Sequence, residues 1–190
     1  MLQPKVTDYF STLSQLLLSI EATGRQGAAL SLEEGSEQAV QLVADVKSAS
    51  RKILLAGNGG SSAIVSHMQN DLCKSAGVKA MVFTEQPLLT ALANDDGYGS
   101  VFEWPIGLWA EAGDLLLTVS SSGQSENIVR ALTAAREKSC KVITLSGFKS
   151  DNASRQMGDL NFYVPSSVYG YVESAHTALA HYLTNMAALA

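Results

Sequence analysis

The sequence contains few charged residues and no cluster of basic ones. Charged residues make up 16% of the 190 residues, and 13 basic against 18 acidic side chains give a formal net charge of −5. No block of five or six basic residues occurs, which disfavours nucleic acids and anionic membrane surfaces as partners. We therefore expect any anionic ligand to be held by local dipoles rather than by a positively charged surface.

Long apolar runs and paired cysteine motifs are also absent. No run of 18 apolar residues occurs, which argues against a transmembrane helix. The first seven residues contain no apolar segment behind a basic start, so we expect no signal peptide. Cys73 and Cys140 belong to no paired motif. They indicate a reducing compartment, and we expect a cytoplasmic protein.

The sequence does contain enough apolar material for a large core. Hydrophobic residues make up 46% of the chain, and its length suits one domain spanning residues 1–190. Within the first 50 residues, Phe10, Leu13 and Leu17 recur at helical spacing, and Ser31 with Glu34 fits a capping box that opens a second helix. We expect these two leading helices to pack on the domain or on a neighbouring subunit.

From residue 53 onward, short apolar runs alternate with helical stretches. Apolar side chains at successive positions indicate strands that are covered on both faces. The runs are 53–56, 80–83, 115–119, 142–145 and 160–164. Such repeated β–α units predict a doubly wound parallel sheet of five strands in a three-layer α/β/α fold, closed by a helix from about residue 171 to 189.

Two of the predicted strands lead into loops of small polar residues. The loops are Gly57-Asn58-Gly59-Gly60-Ser61-Ser62 and Ser120-Ser121-Ser122-Gly123-Gln124-Ser125. Glycines allow the backbone N–H groups to point outward, hydroxyls add donors, and the N-terminus of the following helix adds about half a positive charge. Gly and Ser are also ordinary turn and N-cap residues. Two such loops at strand ends nevertheless favour an anion site.

The first loop does not match the sequence motifs of nucleotide-binding proteins. Ser62 stands where a Rossmann fingerprint has its third glycine, and the loop lacks the lysine of a Walker A motif. We therefore predict no nucleotide cofactor.

All three histidines lie on two predicted helices, near acidic residues. His67 and Asp71 are four residues apart and share a helix face. Glu173, His176 and His181 lie on the last helix, where the spacing disfavours both histidines entering one site. Imidazole beside a carboxylate suits proton transfer near pH 7 or binding of Zn²⁺. The alternative is a surface hydrogen-bonded pair and a histidine that fills the core.

Taken together, these motifs resemble the sugar isomerase (SIS) domain family, and within it the phosphoheptose isomerases. The resemblance covers nearly the whole chain from about residue 53, and its segments are Gly57 to Ser61 with His67, Ala93-Asn94-Asp95, Ser120 to Ser125, Val142 to Gly147, and Glu173-x-x-His176-x-x-x-x-His181. It implies a flavodoxin-like sheet and a homotetramer with active sites between subunits. It also implies isomerisation of sedoheptulose 7-phosphate to D-glycero-D-manno-heptose 7-phosphate, for bacterial heptose and lipopolysaccharide synthesis.

The resemblance also implies roles for individual residues. The residues that would cradle the phosphate are Ser120, Ser121, Ser122 and Ser125. Those of the first loop that would lie beside the substrate are Asn58, Gly59, Gly60 and Ser61, and Asp95 would meet sugar hydroxyls. The acid/base pair corresponds to Asp71 and His181. Some members bind zinc through the positions that match His67, Asp71, Glu173 and His181.

Two residues depart from the family pattern. Asp71 is one methylene shorter than the usual Glu, and a retreat of about 1 Å by a general base lowers the rate by about two orders of magnitude. Glu173 replaces a Gln and is an alternative base. A non-catalytic branch, associated with replication initiation, has lost the carboxylate and the last histidine, and this chain has both. We therefore expect an isomerase, the alternatives being a phosphosugar-binding or partner-docking protein and an isomerase of another phosphosugar.

Overall fold

A seven-stranded sheet forms the centre of the computed structural model, which describes residues 5–189. Five strands run parallel, namely β3 (Lys52–Gly57), β4 (Lys79–Val82), β5 (Leu115–Ser120), β6 (Lys141–Ser146) and β7 (Leu160–Tyr163). Two short antiparallel strands, β1 (Glu21–Gly24) and β2 (Ala29–Leu30), extend the edge beside β7. Across the sheet the order is β2-β1-β7-β6-β5-β3-β4.

The five predicted parallel strands and the doubly wound topology are confirmed. The additional strands β1 and β2 were not predicted, because four and two residues are too few to show a strand pattern. The start of the chain, on which the expectation about a signal peptide rests, lies largely outside the described residues.

Eight helices cover the two faces of the sheet within the described part of the chain. They are α1 (Val6–Leu18), α2 (Leu32–Ser48), α3 (Gly60–Lys74), α4 (Gln86–Asp95), α5 (Ser100–Trp109), α6 (Glu126–Glu137), α7 (Ala153–Met157) and α8 (Tyr169–Leu189). Helices α2, α3 and α8 share one apolar core with the sheet, and α4, α5 and α6 share the other. Between residues 5 and 189, no helix has both the length and the hydropathy needed to cross a bilayer.

The central strands contribute side chains to both cores. In β3, Ile53 and Leu55 belong to the core beneath α2, α3 and α8, whereas Leu54 and Ala56 belong to the opposite one. All four are at most 1% exposed. Burial on both faces explains why the sequence shows continuous apolar runs instead of the alternation of a half-exposed strand.

The two leading helices differ in how they pack. Helix α2 begins with the predicted capping box, in which the Glu34 backbone N–H donates to Ser31 Oγ (3.1 Å) and the Ser31 N–H donates to Glu34 Oε2 (2.8 Å). Helix α1 has no buried residue, and Phe10 is 61% exposed. Tyr9 stacks on Tyr171 of α8, with ring centroids 4.5 Å apart. The apolar stripe of α1 is thus largely uncovered in the single chain.

Gly35 marks the closest approach of α2 to the sheet. A Cβ atom there would lie 2.7 Å from the Cβ of Ala22 and 3.3 Å from the ring of Phe162. We predict that Gly35→Ala lowers the free energy of unfolding by about 1–3 kcal/mol, because the added methyl group overfills the contact. Urea unfolding of the variant measures this change.

Gly107 in α5 provides the matched control, because a Cβ atom there would meet no atom within 4 Å outside its own stretch of helix. Gly107→Ala should leave stability unchanged or raise it by up to about 1 kcal/mol, since alanine is the better helix former. Similar losses in both variants would contradict the packing argument.

Candidate active site

The two loops predicted from the sequence lie side by side at one edge of the sheet. Strands β3 and β5 are parallel neighbours, with Gly57 opposite Val119. Strand β4 lies on the other side of β3, so the chain reverses its winding direction between β3 and β5. In doubly wound sheets, ligands bind outside the carboxyl ends of the strands at this reversal point.

A polar cavity of about 320 Å³ opens between the loops, and we call it the serine-loop cavity. Its lining residues are Asn58, Gly59, Gly60, Ser61, Ser120, Ser121, Ser122, Ser125, Tyr169 and Glu173. No Lys or Arg is among these described lining residues. An anion bound here is therefore held by hydroxyls, backbone N–H groups and helix N-termini.

In the loop of residues 120–125, which we call the serine loop, two hydroxyls bond to the backbone of the loop and two others remain available at the cavity. Ser120 Oγ accepts from the Gly123 N–H (3.2 Å), and Ser122 Oγ accepts from the Gln124 N–H (3.3 Å). Ser121 Oγ is buried and has no hydrogen-bond partner within the described residues. Ser125 occupies the N-cap position of α6, yet its side chain makes no capping bond. Ser121 and Ser125 therefore keep unused hydroxyls at the cavity.

The start of α3 brings a carboxylate to the same cavity. Gly59, the N-cap of α3, has φ +53°, which only glycine adopts readily. A Cβ atom on Gly60 would lie 2.6 Å from Glu173 Oε1, so only glycine leaves room for this carboxylate. The negative charge of Glu173 thus lies beside the helix N-terminus that would attract a phosphate.

A second cavity, of about 250 Å³, lies farther along α3 and α8, and we call it the histidine cavity. His67 Nε2 and His181 Nδ1 each lie 3.5 Å from Asp71 Oδ2. The Thr184 hydroxyl donates to the same carboxylate oxygen over 3.4 Å. Asp71 has a side chain only 19% exposed, whereas the two imidazoles are about half exposed. This arrangement can accept, hold and donate protons.

The side chains of His67, Asp71 and His181 fit a divalent cation. Their ligand atoms all lie within 4.8 Å of one another. Zinc bonded at about 2.0–2.1 Å in tetrahedral geometry separates neighbouring ligand atoms by about 3.3 Å, close to the 3.5 Å distances from Asp71 to each imidazole. Two imidazoles and one carboxylate also form a common zinc ligand set.

Helices α3 and α8 connect the two cavities. Gly60 faces Glu173 at one end, and His67 and Asp71 face His181 at the other. The helices therefore run parallel along this contact. Gly60 and His67 are seven residues apart in α3, and Glu173 and His181 are eight residues apart in α8, which is about 10–12 Å at 1.5 Å per residue. The linings of the two cavities come closer together than this, since Ser61 lines the serine-loop cavity and Ala63 lines the histidine cavity.

Glu173 and Asp95 do not belong to the cluster of His67, Asp71 and His181. Glu173 lines the serine-loop cavity and is not part of the described three-residue cluster. Asp95 is exposed at the end of α4, accepts a hydrogen bond from the Asn94 side chain (2.7 Å) and lines neither described cavity.

The sequence reasoning missed several residues that line or support the site. Tyr169 lines the serine-loop cavity, Thr177 lines the histidine cavity and Thr184 binds Asp71. Tyr169 and Thr177 lie four residues before and after Glu173, so continuing its helical face along α8 would have found both. Thr184 lies one turn beyond His181 and is found in the same way.

Comparisons with known proteins show the family and the fold of this chain. A family model described as "SIS domain" matches residues 8–147. A phosphoheptose isomerase from Citrifermentans bemidjiense is 32% identical over 161 residues, which cover 82% of this chain and 83% of that protein. Among solved structures, a phosphoheptose isomerase from Neisseria gonorrhoeae is 28% identical, with a TM-score of 0.82 and coverage of 95% of this chain and 96% of that chain. One from Francisella tularensis shares the fold at 24% identity, with a TM-score of 0.85 and coverage of 97% of both chains.

His176 is the one histidine outside the histidine cavity. It is fully buried, and its Nε2 lies 3.1 Å from the Ser146 carbonyl oxygen at the end of β6. Burial lowers its pKa from 6.5 to about 4, although the hydrogen bond to Ser146 opposes the shift. As expected from the spacing, His176 and His181 do not share a site, and His176 packs in the core.

We predict that burial of neutral His176 makes the protein less stable in acid. The unfolded chain binds a proton near pH 6.5 and the folded chain only near pH 4. Titration of His176 therefore leaves the free energy of unfolding unchanged above pH 6.5. As the pH falls from 6.5 to 4, it lowers the free energy of unfolding by about 3 kcal/mol. Urea unfolding between pH 4 and 7 measures it. His176→Gln keeps a donor for Ser146 without titrating, and a wild-type curve parallel to that of the variant would refute the prediction.

Proposed function

The chain belongs to the SIS domain family and, within it, to the phosphoheptose isomerases, and we propose that it isomerises sedoheptulose 7-phosphate to D-glycero-D-manno-heptose 7-phosphate. The observation that supports this most strongly is that α3 and α8 together line both a polar cavity suited to an anion and a cluster of two histidines and an aspartate. An aldose–ketose isomerase needs both parts, because it anchors a phosphate at one end of the sugar and moves protons at the other.

The distance from Glu173 to His181 along α8, about 12 Å, supports a long sugar chain. In an extended open-chain heptulose, seven bonds separate C2 from the phosphorus atom, which is about 8 Å at about 1.2 Å per bond. A heptulose phosphate bound along α8 therefore spans most of the distance from Glu173 to His181. Each carbon removed from the sugar shortens its reach by about 1.2 Å.

In the proposed reaction the serine-loop cavity holds the phosphate while the histidine cavity moves the protons. Asp71 takes a proton from C1 of the ketose as the C2 carbonyl oxygen gains one from His181, which gives an enediol. Asp71 then returns its proton to C2, and His181 takes the proton of the C1 hydroxyl, which leaves the aldehyde. His67 and Thr184 orient the Asp71 carboxylate by their contacts with Oδ2.

We assign a metal role to the cluster of His67, Asp71 and His181, with Glu173 as a fourth ligand only if its side chain turns along α8. Zinc bound there would polarise the substrate oxygens and stabilise negative charge on the enediolate.

We further propose a cytoplasmic homotetramer with active sites near the subunit boundaries. Free Cys73 and Cys140 support a reducing compartment. The exposed apolar side chains of α1, among them Val6, Phe10 and Leu18, support association of α1 with other subunits. A short apolar cavity beside α1, lined by Leu17 and Tyr182 among others, extends this surface.

We predict that the purified protein converts sedoheptulose 7-phosphate and is at least about tenfold less efficient, in kcat/KM, with ketose phosphates of five or six carbons. With its phosphate in the serine-loop cavity, a shorter sugar places C1 and C2 farther from His181. A coupled or chromatographic assay, with and without added zinc, measures the rates.

His181→Ala is the diagnostic variant of this assay, and its kcat should fall by about two to four orders of magnitude. Thr177→Ser, in the same cavity, serves as the control and should retain activity. Tight binding without turnover in the wild type would instead select a phosphosugar-binding protein, and faster turnover of a shorter sugar would select another substrate.

Glu173→Gln separates the two candidate bases. If Asp71 is the base, the substitution removes a negative charge beside the bound phosphate, so KM for the phosphosugar should fall several-fold while kcat changes little. If Glu173 is the base, kcat should fall by at least about two orders of magnitude. Steady-state kinetics at low ionic strength distinguish these outcomes, and Glu173→Asp serves as the control that keeps the charge.

A further inference from the structure

Asn58 of the first loop is paired with an asparagine from the opposite side of the sheet. Asn58 Nδ2 donates to Asn127 Oδ1 (2.9 Å), and Asn127 Nδ2 donates to Asn58 Oδ1 (2.8 Å). Asn127 lies in the first turn of α6 and is only 2% exposed. This reciprocal pair joins the loop that enters α3 to the helix that follows the serine loop. Only Asn58 of the pair lines the serine-loop cavity.

Tyr98 makes a third hydrogen bond to the same amide. Its hydroxyl donates to Asn58 Oδ1 over 3.1 Å. Tyr98 lies in the short connection between α4 and α5, where Ser100 Oγ donates to the Gly97 carbonyl oxygen (2.7 Å). On the other side, Gly99 packs against the ends of Arg130 and Glu126. The connection is therefore held in place although the Tyr98 side chain is 53% exposed.

The hydrogen bonds to Asn58 determine what this residue offers to a ligand. An asparagine side chain has two acceptor lone pairs on oxygen and two N–H donors. Asn127 and Tyr98 use both lone pairs, and Asn127 also uses one N–H. Asn58 lines the serine-loop cavity. It therefore presents one N–H donor to the cavity and no free acceptor.

We propose that Asn127 and Tyr98 are positioning residues that hold Asn58 as a hydrogen-bond donor to an acceptor oxygen of the phosphosugar. This inference rests on the proposed function, because it assumes an anionic, oxygen-rich ligand in the serine-loop cavity. A flipped Asn58 amide would turn its oxygen toward that ligand and repel it. The pairing excludes a flip of Asn58 alone, because that would bring oxygen against oxygen and N–H against N–H. A flip of both amides would keep the pair but would remove the oxygen that accepts from the Tyr98 hydroxyl.

The kinetic test uses Tyr98→Phe, which removes one hydroxyl and keeps the ring. Asn58 binds the ground state and the transition state alike, so KM for sedoheptulose 7-phosphate should rise about two- to tenfold with kcat nearly unchanged. Asn127→Leu, which removes both bonds of the pair, should raise KM further. Tyr182→Phe is the matched control, because Tyr182 lines the apolar cavity beside α1 and not the serine-loop cavity. Its KM should equal that of the wild type.

A double-mutant cycle distinguishes positioning from a general structural role. In the Asn58→Ala background, Tyr98→Phe has no amide left to orient and should not change KM further. If Tyr98→Phe instead raises KM by the same factor in the Asn58→Ala background as in the wild type, the proposal is overturned.

The hydrogen bonds are also tested in the ligand-free protein, independently of turnover. The side-chain amide signals of Asn58 and Asn127 in a ¹H–¹⁵N spectrum are identified by their loss in Asn58→Ala and Asn127→Leu. Both should shift in Tyr98→Phe and remain in place in Tyr182→Phe. Unshifted signals in Tyr98→Phe would overturn the inference, whereas a wild-type protein without turnover would refute only the proposed function.

Discussion

The parallel packing of α8 against α3 is the contact on which both halves of the candidate site depend. At one end, Gly60 allows the Glu173 carboxylate to approach the start of α3. At the other end, Asp71 of α3 lies within 3.5 Å of His181 of α8. Because Glu173 and His181 lie on one helix, the distance between them is set by the rise per residue and not by loop conformation. Buried His176, held at Ser146, helps to define how α8 lies on the sheet.

The serine-loop cavity suits a phosphate without the aid of a basic side chain. Its unused hydroxyls at Ser121 and Ser125 and the N-termini of α3 and α6 supply donors and partial positive charge. Such groups are weaker than lysine or arginine at long range, but they fix the position and orientation of the ligand. The Glu173 carboxylate in the same cavity would repel a bound phosphate. The charge at position 173 should therefore affect how tightly the cavity binds a phosphate.

The groups around the cavity are themselves held by buried hydrogen bonds. Asn152 is fully buried, and its amide donates to Ser146 Oγ (3.1 Å) and to the Lys149 carbonyl oxygen (2.8 Å). Gly123 of the serine loop packs against Asn152, and its positive φ of +60° gives the loop its turn. The first loop is joined to α6 through Asn58 and Asn127. The ligand-binding surface is therefore preorganised before any ligand arrives.

The sequence alone determined the parallel strands, the two Gly- and Ser-rich loops and the pairing of His67 with Asp71, because each follows from local periodicity or from spacing along one helix. It also led to the separation of His176 from His181. The family resemblance grouped Glu173 and His181 with the His67–Asp71 pair, but only the tertiary structure shows that His181 joins the pair while Glu173 lines the other cavity, since this depends on how α8 lies along α3. The contacts of Asn58 with Asn127 and Tyr98 could not be read from the sequence for the same reason. They join segments 40 and 69 residues apart, and only the packing of helices on opposite faces of the sheet brings those segments together.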